Sequence, residues 1–137
     1  MSDVELFVST RGKVLDAVTF SGALHAVSDR LRPVFELVAD DVEFVPLNVN
    51  GDRFWFLRVT SVVDALDLEH STIRYLCTGS VDAVEEPVWR QESVDRPRLF
   101  TIPQLRVTTW ATRPIADAYE ASGCTGLFFW PRGRVAA

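Results

Sequence analysis

Residues 42–59 read VEFVPLNVNGDRFWFLRV, two apolar runs on either side of Asn50-Gly51-Asp52. Asn-Gly accepts the positive φ angles that a type I′ turn requires, so the stretch predicts a β-hairpin, with one strand over residues 42–47 and its return over 53–63. Pro46 marks the first strand as an edge or a bulge, because proline has no N–H to give to a ladder. Three consecutive aromatics, Phe54, Trp55 and Phe56, cannot all face one side of a sheet. Either both faces are covered, or Trp55 stands out as an interface anchor.

Upstream of the hairpin, Glu5-Leu6-Phe7-Val8-Ser9 reads as a short strand that ends at Arg11-Gly12-Lys13, and residues 14–20 fit helix and strand equally. A short extended run over 23–27 follows. Ser28 is a good N-cap for a helix to Val38, in which Leu31, Val34, Phe35 and Val38 recur at i, i+3, i+4 and i+7, with Pro33 in the first turns. Downstream, residues 72–77, 88–91 and 98–102 read as strands, separated by loops at Val84-Glu85-Glu86-Pro87 and Asp95-Arg96-Pro97. Residues 105–110 are β-branched and alternating. Thr112 can cap a helix over 113–121 whose core face is Ile115, Ala118 and Tyr119, with Gly123 at its left-handed C′ position. Sliding the chain by 84 residues lays Ser28 on Thr112, Leu31 on Ile115, Phe35 on Tyr119 and Phe44 on Phe128, a possible helix-strand unit used twice. The expectation is one α+β domain over residues 1–137, with two amphipathic helices packed on a largely antiparallel sheet.

The composition narrows the function. With 137 residues, 47% of them hydrophobic, the chain can bury one sizeable core. Its apolar runs at 54–57 and 127–130 are far below the ~18 residues that span a bilayer, and Met1-Ser2-Asp3-Val4-Glu5 lacks a basic signal-peptide start, so the chain is expected in the cytoplasm, away from membranes. Cys77 and Cys124 have no metal-like or redox spacing, and reduced, partly buried thiols are expected. Net charge is −5, unevenly spread: residues 1–87 hold 15 acids and 7 bases, residues 88–137 hold 4 acids and 7 bases. An acidic majority repels phosphate, which disfavours nucleic acid, and attracts basic proteins. Lys13 is the only lysine, an arginine bias that reflects base composition more often than selection at a site.

Chemistry has few footholds. Asp64, Asp67, Glu69 and His70 crowd residues 64–70; on a helix, Asp64, Asp67 and His70 would share a face able to ligate a divalent metal. The alternation of the preceding strand favours a plainer reading, a strand that leaves the core through an acidic turn. A nucleophilic set of Cys77, His70 and either Asp67 or Asp64 can be drawn on paper, but such a triad is defined by geometry, and Cys77 sits in an apolar run suited to a buried thiol. His25, between Leu24 and Ala26, reads as a hydrogen-bonded core residue. Gly-rich phosphate loops, G-x-S-x-G and H-E-x-x-H are absent from the sequence. No metal or cofactor is expected.

Three stretches, AVSDRLRPVFELVADDVEFVPL, GDRFWFLRVTSVVDALDLEHS and the closing LFTIPQ with VTTWATRPIADAYEASGCTGLFFWP, resemble the immunity-protein family of Myxococcus type found beside polymorphic toxins, long catalogued as a domain of unknown function. The resemblance covers about residues 20–131. It implies a cytoplasmic, non-enzymatic protein that neutralises a cognate toxin by binding it. A basic toxin would meet an acidic face at Asp40, Asp41, Glu43, Asp64, Asp67 and Glu69, with Trp55 and Trp130 as aromatic anchors. Two rival classes remain: a small hydrolase or metal-dependent enzyme using His70, Asp67 and Cys77, and a regulatory protein-binding module with another partner.

Overall fold

The hairpin over residues 42–59 is the spine of the fold. In the computed structural model, which describes residues 4–6, 16–21, 24–49, 51–129 and 131–136, β4 (Val42–Val49) and β5 (Asp52–Val59) pair antiparallel from Val42↔Val59 to Val49↔Asp52. Gly51 turns the chain at φ +88°, and its partner in the turn, Asn50, lies outside the described residues. β3 (Leu24–Ser28) adds antiparallel to β5, β2 (Ala17–Ser21) to β3, and β1 (Val4–Leu6) parallel to β4, giving the order β1-β4-β5-β3-β2. Among the described residues β1 meets only Leu47, Asn48 and Val49, so Pro46 falls where β4 lacks that neighbour.

Alternation along the hairpin explains the aromatic triplet. Leu57 and Val59 lie over the core closed by α1 (Arg32–Glu36) and α3 (Arg113–Ser122), with Val27, Val34, Phe35, Ile115 and Tyr119, and Trp55 packs at its margin. Phe54 faces the other way, into a second buried cluster with Ala26, Leu47 and Val49, against which Phe56 packs. Each face thus buries apolar area, which stabilises at roughly 25 cal/mol per Å².

The helix expected from Ser28 is shorter than its apolar stripe. Leu31, Val34, Phe35 and Val38 are all buried, but Ser28 stays in β3, opposite Phe54, and its backbone N–H donates to the Asp16 carbonyl at 2.7 Å. Its Oγ still accepts from Leu31 N at 3.1 Å, as a cap would. A 3₁₀ turn, Ala39–Asp41, then leads into β4. α3 keeps its expected face, and Gly123 closes it in the left-handed region at φ 71°.

The remaining strands form three ribbons: β6 (Thr72–Tyr75) with β7 (Val81–Glu86), β9 (Leu99–Ile102) with β10 (Leu105–Ala111), and β8 (Val88–Trp89) parallel to β11 (Arg134–Val135). Between them lies a third cluster of Ala65, Leu66, Val84, Trp89, Phe100 and Ile102. The acidic loop expected at 84–87 is mostly strand β7, and Gln91 opens a one-turn helix, α2 (Gln91–Val94), in place of a strand end. The proposed repeat does not reach its second strand. Residues 124–129 carry none, because Gly126, at φ +111°, is pressed against the Ala17 backbone while Ala17 N donates to Thr125 O at 3.1 Å and Leu127 N to the Tyr119 hydroxyl at 3.0 Å.

Two carboxylates stitch these parts together. Asp16 accepts from Ser28 Oγ at 2.8 Å and Thr125 N at 3.0 Å, with Arg30 3.9 Å away. Burial opposes its charge, but those two hydrogen bonds and the guanidinium prevail and hold its carboxyl below the ordinary value. Asp41, buried, accepts from Ser61 Oγ at 2.6 Å and Leu99 N at 3.1 Å, while its carbonyl takes Thr60 N at 2.8 Å.

Asp41→Ala should cost about 3 kcal/mol, since it strands a buried N–H and a hydroxyl, and chemical denaturation would read the loss. A loss under about 1 kcal/mol would mean that water replaces the carboxylate. For Asp16 the folded pKa lies below the unfolded one, so its stabilisation is complete above about pH 4 and fades as pH falls through the folded value. Asp16→Asn should therefore flatten the stability curve below about pH 4, measured as Tm against pH.

Candidate functional site

The acidic stretch that begins at Asp64 is a corner. Beyond β5, Val62 bridges to Thr101 and Leu66 to Trp89, so the chain runs along the third core with Ala65 and Leu66 both buried. It then turns outward at residues 68–70, with Leu68 half exposed. Asp67 makes the turn: its Oδ1 accepts from His70 N at 3.3 Å, and its Oδ2 lies 2.9 Å from His70 Nδ1. The histidine contact holds the Asp67 carboxyl below its ordinary value. Neither helix nor strand forms here, so Asp64 is not stacked with Asp67 and His70 on a helical face.

Asp67, Glu69 and His70 can bring one ligand atom each within 4.8 Å of one another, but Glu69 and His70 are exposed and Asp67 is already hydrogen-bonded to the ring. The nucleophilic set is not assembled. β6, four extended residues at ~3.3 Å each, separates His70 from Cys77, which is exposed at the far turn, where Leu76 N donates to Ser80 O at 2.7 Å. The expected burial of Cys77 is corrected for the same reason: the ribbon carries its tip out of the core. Cys124 is the buried thiol, accepting from Arg30 Nε at 3.3 Å, and both cysteines are free. His25 is half-buried, 3.2 Å from Thr109 Oγ1, and burial lowers its pKa.

The other candidate contacts divide into committed and available groups. Asp41 is spent inside, its oxygens on Ser61 and Leu99, which corrects its assignment to an outer acidic face. Glu43 is exposed, 3.7 Å from Arg58, while Asp40, Asp64 and Glu69 are exposed and form no ion pair among the described residues. Thr60 and Ser61, held by Asp41, tie the chain leading to Asp64 to the turn that carries Asp40. Trp55 is half-buried: its Nε1 donates to Asp29 at 2.9 Å, and the Arg32 guanidinium lies 3.9 Å from its ring centroid. Trp130 lies outside the described residues.

A cleft of about 790 Å³ was not anticipated. Beneath it lie Trp89 and Phe100, both buried, and the half-buried Trp110, with Trp89 edge-on to Phe100 at 5.9 Å and to Trp110 at 4.7 Å. One wall is residues 131–135, fastened to β8 by Trp89 Nε1 to Arg132 O at 3.1 Å and Arg134 N to Pro87 O at 3.2 Å. Phe128, 84% exposed, and Val107, 70% exposed, flank it. The signals in the sequence were the basic excess after residue 87 and the apolar run that holds Phe128 and Phe129.

No curated protein matches the chain. A protein-family model, the immunity protein family (Imm11), matches residues 3–134, and so takes in β1, β2 and the N-terminal stretch that the resemblance over residues 20–131 left unexplained. With nearly its whole length matched, the chain belongs to the immunity protein family.

Proposed function

We propose that the chain acts as one domain over residues 1–137, in the cytoplasm, and neutralises a cognate polymorphic toxin by direct binding, with no catalysis of its own. The family match over residues 3–134 carries this reading. Three further observations support it: Cys77 is held away from His70 and Asp67, the exposed acids Asp40, Asp64 and Glu69 have no ion-pair partner among the described residues, and no described helix is long and apolar enough to cross a membrane.

The partner on the acidic side is a basic protein rather than nucleic acid. Asp40, Glu43, Asp64, Asp67 and Glu69 would steer its approach by long-range attraction, and Trp55, stiffened between Asp29 and Arg32, would offer a pre-organised anchor. Asp41 contributes only by fixing the backbone on which Asp40 is displayed.

Co-expression with the protein encoded beside it is the direct test. That protein should arrest growth when expressed alone, lose its toxicity with this chain, and co-purify in fixed stoichiometry; a neighbour that stays toxic and unbound would overturn the reading. With the complex in hand, Asp64→Lys with Glu69→Lys should slow association about tenfold at low salt and flatten its salt dependence. An unchanged on-rate would remove this corner from the interface.

A further inference from the structure

The cleft behind β10 has a charge opposite to that of the acidic corner. Arg113, Arg132 and Arg134 line it, and the one acid among its described lining residues, Asp82, is paired with Arg74 at 2.7 Å. Arg132 is turned to the Val84 and Glu85 carbonyls at 3.3 and 3.2 Å. Arg113, at the first turn of α3, and Arg134, in β11, are exposed, and their guanidinium groups have no partner among the described residues. Two cations without a described partner thus stand beside apolar surface at Val107, Trp110 and Phe128.

Hydrogen-bonding capacity is also left over. Trp110 Nε1 is shut off from solvent and has no acceptor among the described residues, an uncommon state for a buried donor. The register of β10 on β9 breaks between Leu105 and Trp110, which bows the strand at Val107 and Thr108, where it borders the cleft. Apolar surface as open as Phe128 and Val107, rimmed by unpaired charge, is characteristic of a recognition site.

The geometry points to this cleft as a binding site for an acidic peptide segment that carries apolar side chains. Its aromatic or aliphatic side chains would lie on Val107, Trp110 and Phe128, and its carboxylates would reach Arg113 and Arg134, which form planar, bidentate pairs with such groups. The assignment rests on the reading that the chain works by binding a protein, and it adds a second contact of opposite charge to the acidic corner. A partner would then present both a basic surface and an acidic, apolar loop.

The test uses a capped peptide of alternating glutamate and phenylalanine, its glutamine counterpart, and the indole N–H signals of Trp89 and Trp110 in NMR titration. The glutamate peptide should shift both signals saturably and bind roughly tenfold more tightly than the glutamine peptide, an advantage lost at high salt. Arg113→Glu with Arg134→Glu, two exposed and unpaired positions, should keep the wild-type Tm and abolish the preference. Equal binding of the two peptides would leave an apolar groove without charge selection and overturn the proposal. Unmoved Trp89 and Trp110 signals would do the same, as would self-association that the double variant abolishes, since a second copy would then fill the cleft. Toxin neutralisation is measured without these peptides, so either result can fail alone.

Discussion

The structure depends on how the backbone of β9 is satisfied. All four residues, Leu99 to Ile102, are buried, so each of its N–H groups must find an acceptor away from water. β10 lies along one edge and supplies only part of that need, because successive N–H groups of a strand point to opposite edges. Thr101 N goes to Ser61 O at 2.9 Å, and Leu99 N to the Asp41 carboxylate. Leu99 belongs to the core under α1 and α3, whereas Phe100 and Ile102 belong to the core with Trp89. The same four residues therefore join the two cores, and Asp41 holds the junction. A buried carboxylate is costly by itself, and here two side-chain-level hydrogen bonds offset the loss of water.

That junction also places the binding surfaces. By fixing Thr60 and Ser61, Asp41 sets the direction in which the chain leaves β5, and so where Asp64 and the turn at Asp67 emerge. On the other side, β9 carries β10, whose bowed middle and Trp110 border the arginine-rimmed cleft. Many surface charges are paired within the chain, Arg32 with Glu36, Arg58 with Glu43 and Arg74 with Asp82 and Glu85. Exposed pairs of this kind add little stability. Their larger consequence is to leave other exposed charges without an ion pair among the described residues, and these include Asp40, Asp64 and Glu69 around the acidic corner and Arg113 and Arg134 at the cleft.

Much of the fold was legible where local chemistry and tertiary packing agree. Asn50-Gly51 announced the hairpin, the stripe of Leu31, Val34, Phe35 and Val38 announced a buried turn of helix, and Gly123 announced the end of α3. Reading failed where packing overrode pattern. Val84 to Glu86 looked like part of a loop because its charges dominate, yet pairing with β6 makes it strand. Residues 127–129 looked like a strand because they are apolar, yet the contact of Gly126 with Ala17 denies them a ladder. The acidic cluster was legible as a corner, whereas the cleft was not, since its lining comes from within residues 82–94, 100–116, 128–129 and 131–135, which no local pattern joins.

By itself, then, the sequence determined the α+β class, the hairpin at its centre, the uneven charge and the family resemblance, because each is written in spacing, composition or contiguous motif. Only the tertiary structure decided which charges are spent and which are free. Asp40 and Asp41 are neighbours with the same side chain, yet one is exposed and the other is sealed by Ser61 and Leu99, 20 and 58 residues away. A carboxylate's role is set by the donors that reach it, and those donors are brought by the folding of distant segments onto one core.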